Sequence, residues 1–364
     1  GGILSLFSSN FKKIRSGDKG AIRRNIVVIA VFVALILGGS VGFAVYRNNQ
    51  QEQLSQFRSH YTVASAKYSE AVSIIDLNKS RAREILIEAD KEIKLALEIR
   101  PDDEEGKKLA SDIVSKLKET EDFSSVSFLE VASAGEKLVS LGIAGDKIVG
   151  MGASELYEVD LESEDVNKVE GQTGVESGFI FDEKAFVISK NKIHREDLLG
   201  AKKDEIGEAN GAFDISVFIG NIYVLLPESI LKFVPIEGGY SEGTEYLSDK
   251  MSFGDNSRFA IDGSVWVTNG SEINKFTRGE KEDFEVSGLV DSLGELTLIY
   301  TSSDLENLYV VDKTHNSLFV VGKDGTYKKV LQSSDFAKAS DLVVNADESA
   351  VYIAIGSKIQ KADL

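Results

Sequence analysis

Three patterns of apolar and polar positions follow one another along this chain. The first is an unbroken run, IVVIAVFVALILGGSVGFAVY at residues 26–46, with no charge over 21 positions. About 20 apolar residues let a helix cross a hydrocarbon core of about 30 Å, so the run predicts a transmembrane helix. A secretory signal is the rival reading, but its usual apolar region of about 7–15 residues is shorter than this one. In the second pattern Leu54, Phe57, Tyr61, Ala64, Tyr68, Ala71 and Ile75 follow at alternating spacings of three and four. This heptad seam predicts that the helix continues beyond the apolar run with one adhesive face. Asn78 or Ser80 is placed to cap a second helix over residues 81–99, which carries Ile85, Ala89, Ile93 and Ala96 on one side. Pro101 predicts the start of a third helix, with carboxylates at 102–105 near its positive end and Leu109, Ile113 and Leu117 on its apolar side.

The third pattern repeats. A short apolar strand is aligned in six copies beginning at Lys147, Lys184, Asn221, Ser264, Asn307 and Ala350. Nine residues after the first position stands Leu156, Ile193, Ile230, Ile273 or Ile359 in five copies, and the fifth copy reaches Leu318 two residues later. Each copy predicts a buried strand, a tight polar turn and a second strand that alternates apolar with polar. Another apolar run precedes every hairpin and a more polar strand follows most of them. Four strands in about 40 residues is the period of a propeller blade. The sixth copy ends at Leu364 after its third strand, while an unpaired strand at 125–133 precedes the first. Such an N-terminal strand completes the last blade and removes an open edge. The prediction is an all-β six-bladed β-propeller over residues 123–364, preceded by a basic segment (1–25), a transmembrane helix (26–46) and an α-helical stalk or hairpin (47–122).

Several stretches resemble known families. LENLYVVDKTHNSLFVVGKDGTYKKVL is similar to the NHL-type propeller repeat, and SDLVVNADESAVYIAIGSKIQKADL to the YVTN pattern. Both resemblances imply blade geometry, with Asp324-Gly325 as a hairpin turn and aromatics such as Tyr223, Trp266 and Tyr309 packed between blades. ALEIRPDDEEGKKLASDI resembles the junction of two tetratricopeptide repeats over fewer than 20 residues, with no second copy at the repeat spacing. The order of basic tail, span, helical hairpin and propeller, together with DLNKSRAREILIEADKEI, resembles the C-terminal half of bacterial membrane proteins that carry a cytoplasmic PPM-type phosphatase domain. That resemblance implies a catalytic half outside this chain.

Charge sets the expected topology. Lys12, Lys13, Arg15, Lys19, Arg23 and Arg24 precede the apolar run, whereas Arg47 and Arg58 alone follow closely. The positive-inside rule then places the N-terminus in the cytoplasm and everything after the span outside the cell membrane. Residues 125–364 hold 22 basic and 42 acidic side chains, which argues against nucleic acid as a partner. Within the run, Ala30, Ala34, Gly38 and Gly42 form a small-residue stripe ending in Gly-x-x-x-Gly, which together with the seam predicts a homodimer through span and stalk. The chain opens Gly1-Gly2 without methionine, and the expectation is a fragment or processed product of a longer protein.

Candidate chemistry is sparse. Cysteine is absent and only His60, His194 and His315 occur, so neither a metal-ligand spacing nor a catalytic triad is assembled from sequence. Asp214 and Asp341 stand at inner-strand starts, where channel carboxylates can hold Ca²⁺, but two make a poor cage. Asn78 and Asn269 head glycosylation-acceptor triplets, a pattern that recurs by chance. No catalytic, cofactor or metal residue is assigned and the chain is expected not to be an enzyme. The expected function is a single-pass membrane protein displaying an extracytoplasmic propeller that binds a protein or glycan, as sensor or scaffold. Two alternatives stay open: the receptor half of a signalling phosphatase, and a Ca²⁺-dependent propeller hydrolase.

Overall fold

A computed structural model gives the architecture. It describes residues 19–120, 123–161, 163, 165–171, 173–198, 203–289 and 291–364. In the first helix the side chains at 19–26, 28–29 and 34–45 lie outside that description. The chain divides into two units, Gly1–Lys116 and Leu117–Leu364.

The first unit is helical. One continuous helix, α1 (Lys19–Ile74), is followed by α2 (Lys79–Ile99) and α3 (Glu104–Glu119). Asn78 is the cap of α2, its Oδ1 accepting the Arg81 N–H at 3.0 Å. Asp103 caps α3 through the Gly106 N–H at 3.0 Å, so this helix starts at Glu104, three residues later than Pro101 suggested. The C-terminal part of α1 packs against α2 in antiparallel sense, with His60 Nδ1 2.7 Å from Glu92 and Lys67 paired with Glu88. Phe57, Ala64 and Ala71 are buried and Leu54, Tyr61, Tyr68 and Ile75 half-buried, while Ala82, Ile85, Leu86, Ala89, Ile93 and Ala96 bury the facing side of α2. The seam that suggested a second copy is therefore occupied by the chain's own second helix.

The expected membrane span meets a different result: among the described residues, no helix is long and apolar enough to cross a membrane. Ala30 is exposed, as are Val27, Val31, Phe32 and Val33. The side chains of Ala34, Gly38, Gly42, Lys19, Arg23 and Arg24, and all of Lys12, Lys13 and Arg15, fall outside the described residues.

The second unit is a six-bladed β-propeller. Its innermost strands are Leu138–Ala144, Val175–Phe181, Asp214–Phe218, Phe259–Ile261, Leu296–Tyr300 and Asp341–Val344, each next to its neighbours around a closed ring. Each blade is a four-stranded antiparallel meander, and the fifth blade gains Phe123–Ser125 in parallel on its outer edge. Blade six ends with the chain after three strands and takes its fourth from Leu129–Ser133, which pairs with Lys358–Asp363. Pairing the first and last strands ties the ring shut.

The repeat offset has a structural cause. Leu156, Ile193, Ile230, Ile273, Leu318 and Ile359 each stand opposite the fifth residue of the preceding strand, namely Met151, Ile188, Leu225, Thr268, Val311 and Ala354. Both faces of that strand are covered by adjacent blades, so it reads as an apolar run. Its third residue, Val149, Phe186, Tyr223, Trp266, Tyr309 or Tyr352, belongs in turn to each of the six apolar clusters between blades. Near the axis the approach is closest at Gly142, where an added Cβ would lie 2.2 Å from Ile180 Cγ1.

Candidate channel site

The innermost strand of a blade pairs on one side only, so its other edge leaves N–H groups facing the next blade and the axis. Buried N–H groups require acceptors. Polar residues at the starts of these strands supply them. Asp341 Oδ2 accepts the Leu141 N–H of blade one at 2.8 Å, and its Oδ1 accepts Leu342 N–H at 2.8 Å. Asp214 Oδ1 accepts the Ser177 hydroxyl of blade two at 2.7 Å, while its Oδ2 accepts the Phe259 N–H of blade four at 3.2 Å. Ser140 Oγ accepts the Gly178 N–H at 3.0 Å, and Ser340 Oγ donates to Leu138 O at 2.9 Å.

The structure thus brings both Asp214 and Asp341 to one central cavity of about 60 Å³, which Arg258 and Tyr300 also line. Such a polar space has room for a few waters. The carboxylates stitch blades together rather than forming an open cage, and each spends its oxygens on N–H and O–H donors. Among the described residues no group of three or more His, Asp or Glu side chains is placed to hold a metal.

Enclosure perturbs these groups. Burial pushes the Asp341 carboxyl up to about 7, the Leu141 N–H opposes it, and the charge of Asp214 adds to it. Burial raises Asp214 as well, against the pull of Arg258. The Tyr300 phenol is raised by burial and by Asp341. Arg258 is the cation that faces both acids, and its Nη1 donates to Ser257 O at 2.9 Å.

At the end where the innermost strands begin, the channel opens into a mouth of about 280 Å³. Lys137, Glu176, Asn256, Arg258, Lys313 and Ser340 provide its polar wall. Glu176, Arg258 and Ser340 also line the inner cavity, so the two compartments adjoin one another through shared walls. Lys313 Nζ lies 4.0 Å from Glu295, whose other oxygen accepts Asn256 Nδ2 at 2.7 Å. Lys313 reaches the mouth because the fifth blade's turn is two residues longer than the others, and that same turn carries His315, 2.7 Å from buried Asp312. The late position of Leu318 in the repeat was the sequence signal for this loop. Lys137, Glu176 and Arg258 carried none, being single polar residues in three different blades. His60 is bound to Glu92 in the helical unit, and His194 lies on a third strand with its pKa lowered by burial. The three histidines thus sit in separate places.

These features define the class: a six-bladed β-propeller with a polar central cavity and an adjoining open mouth. No family model matches the chain, and no curated protein matches it. The resemblances to NHL and YVTN repeats and to phosphatase-linked membrane proteins therefore rest on the quoted residues alone. Solved structures match the propeller. One is a gluconolactonase from Xanthomonas campestris, 13% identical over 66% of this chain and 90% of that one, with a TM-score of 0.51. A streptogramin B lyase is 15% identical over 66% and 97% of the two chains, with a TM-score of 0.46. A virginiamycin B lyase from Staphylococcus aureus is 14% identical over 66% and 99%, also at 0.46. At these identities the likeness establishes the fold alone.

The comparisons nevertheless correct one expectation. The chain was expected not to be an enzyme, yet a gluconolactonase shares its propeller fold, so the fold gives no ground for that exclusion. The fold accommodates catalysis, and a channel carboxyl titrating near neutrality is the physical feature that the sequence did not show.

Proposed function

We propose that this chain is a recognition protein that holds a propeller outside the cell membrane on a helical anchor and binds its ligand at the channel mouth. The observation that carries the reading is the mouth itself: an open polar cavity of about 280 Å³ lined by Lys137, Glu176, Arg258 and Lys313. Its size suits a small molecule, or one unit of a larger protein or glycan ligand. The anchor is supported by 21 uncharged residues at 26–46, by the exposure of Val27, Val31, Phe32 and Val33, and by the basic residues that precede them.

Native mass spectrometry of the full chain in detergent, after incubation with a small-molecule extract, tests the recognition site. The expected result is a retained species that is lost when the mouth is plugged by Ala337→Trp. Equal retention by the plugged variant overturns the site.

A second reading is favoured by Asp341, whose carboxyl lines the inner cavity adjoining the mouth and is raised by burial to about 7. In that reading the bound molecule is also turned over by acid–base chemistry. Chemical conversion of the retained species by the wild type, abolished in Asp341→Asn, distinguishes it from binding alone.

A further inference from the structure

We infer that the ligand of the channel mouth is a small organic anion with at least two negative charges, gripped by Lys137, Arg258 and Lys313 and selected by Glu176. The inference rests on the reading of the mouth as the ligand site and adds the ligand's chemical class.

The argument begins with charge. Residues 125–364 hold nearly two acids for every base, yet the mouth gathers three cations around one carboxylate. Repulsion among like charges disfavours such a cluster unless something anionic answers it. The neighbouring acids answer it only in part. Glu295 is the sole ion partner of Lys313 among the described residues, and it stands at the 4.0 Å limit with its second oxygen engaged by Asn256. Among the described residues Lys137 forms no ion pair, and Glu176 likewise has no hydrogen-bond partner. The two face one cavity without being paired to each other.

Arg258 defines the geometry. Its guanidinium interacts with the charges of Asp214 and Asp341 and donates one bond, to Ser257 O. The remaining donors of a planar fork match the paired oxygens of a carboxylate or phosphate. Lys137 and Lys313, carried by blades one and five, add charge at the rim. Asn256, Thr297 and Ser340 add neutral polar groups to the wall. Glu176 works against any ligand that is purely anionic, so it selects one that presents an N–H or O–H donor beside its negative groups. Phosphate esters and polycarboxylic acids share this chemistry.

Isothermal titration of the full chain in detergent at low ionic strength tests the inference, with pyrophosphate and citrate as probes for the phosphate and carboxylate sources. Saturable one-to-one binding of at least one probe is expected. Lys137→Gln and Lys313→Gln should each weaken it by roughly 5-fold or more, and Arg258→Lys by about 10-fold, the loss expected for one charge-assisted contact. Glu176→Gln should tighten binding of tricarballylate, an anion with no O–H or N–H donor at pH 7.5 that meets only the carboxylate's charge, by roughly 3-fold. A structural role for Glu176 would not produce that gain. Because Arg258→Lys also touches the buried acids, the two rim variants carry the test if it fails to fold. Binding of glucose or spermidine that Ala337→Trp abolishes, with no binding of either anion, overturns the anion class and leaves the mouth standing. Anion binding unchanged in all four charge variants and in Ala337→Trp overturns both.

Discussion

At the scale of single residues the channel is organised by unmet backbone hydrogen bonds. Asp214 and Asp341 could be found in the sequence as polar residues opening apolar strands, but not their task, because Leu141, Ser177 and Phe259, whose N–H or O–H groups they also accept, belong to other blades. Their burial has a thermodynamic consequence. The folded Asp341 carboxyl is raised to about 7 from an ordinary value near 4, so between these limits the unfolded chain has released a proton that the folded chain keeps. The stability this group contributes is complete below about pH 4 and is lost as pH rises through 7, at no more than about 1.4 kcal/mol per pH unit. Asp214 is shifted in the same direction. Urea unfolding at pH 5 and pH 7.5 should therefore show the propeller weakening at the higher pH, and Asp341→Asn should reduce that difference. Trp266, the one tryptophan and 1% exposed between blades four and five, reports on this unit alone. Equal pH dependence in wild type and variant would contradict the assignment.

At the scale of elements, the sequence revealed those strands whose burial is uniform. The second strand of each blade is covered on both faces and reads as an apolar run, while the third alternates, so their fixed offset could be counted. The outer strand, such as the largely exposed Val166–Glu170, has no such signature. The mouth was illegible because Lys137, Glu176, Arg258 and Lys313 come from four blades and meet only when the ring closes. Its one trace was the two-residue delay before Leu318. Removing Thr314 and His315 restores the common turn length and withdraws Lys313 from the mouth. The deletion also removes the His315 contact to buried Asp312 and the Thr314 hydroxyl that accepts the Glu295 N–H, so it should cost the fold roughly 2–3 kcal/mol, while binding of an anionic probe by the folded protein falls by roughly 5-fold. Undiminished binding, measured by titration, would show that the longer turn is incidental. The helical seam teaches a different lesson. Spacing alone identified an adhesive face, but could not tell a second copy from Ile85, Ala89 and Ile93 of the same chain.

At the scale of the whole molecule, the proposal joins a helical anchor to a binding propeller. The full chain should remain with membranes after alkaline carbonate washing, and Val31→Arg combined with Val33→Arg should release it, because each buried arginine costs roughly 3 kcal/mol in a membrane. Release of the unaltered chain by carbonate would remove the anchor from the account, leaving the channel mouth as the part to be judged. Hydrogen exchange of the full chain with and without pyrophosphate judges it most directly. The account predicts added protection where the innermost strands begin, at residues 138–142, 176–179, 257–260, 296–299 and 339–342, with the outer strands unchanged. Protection confined to outer strands or to the helical unit would contradict it.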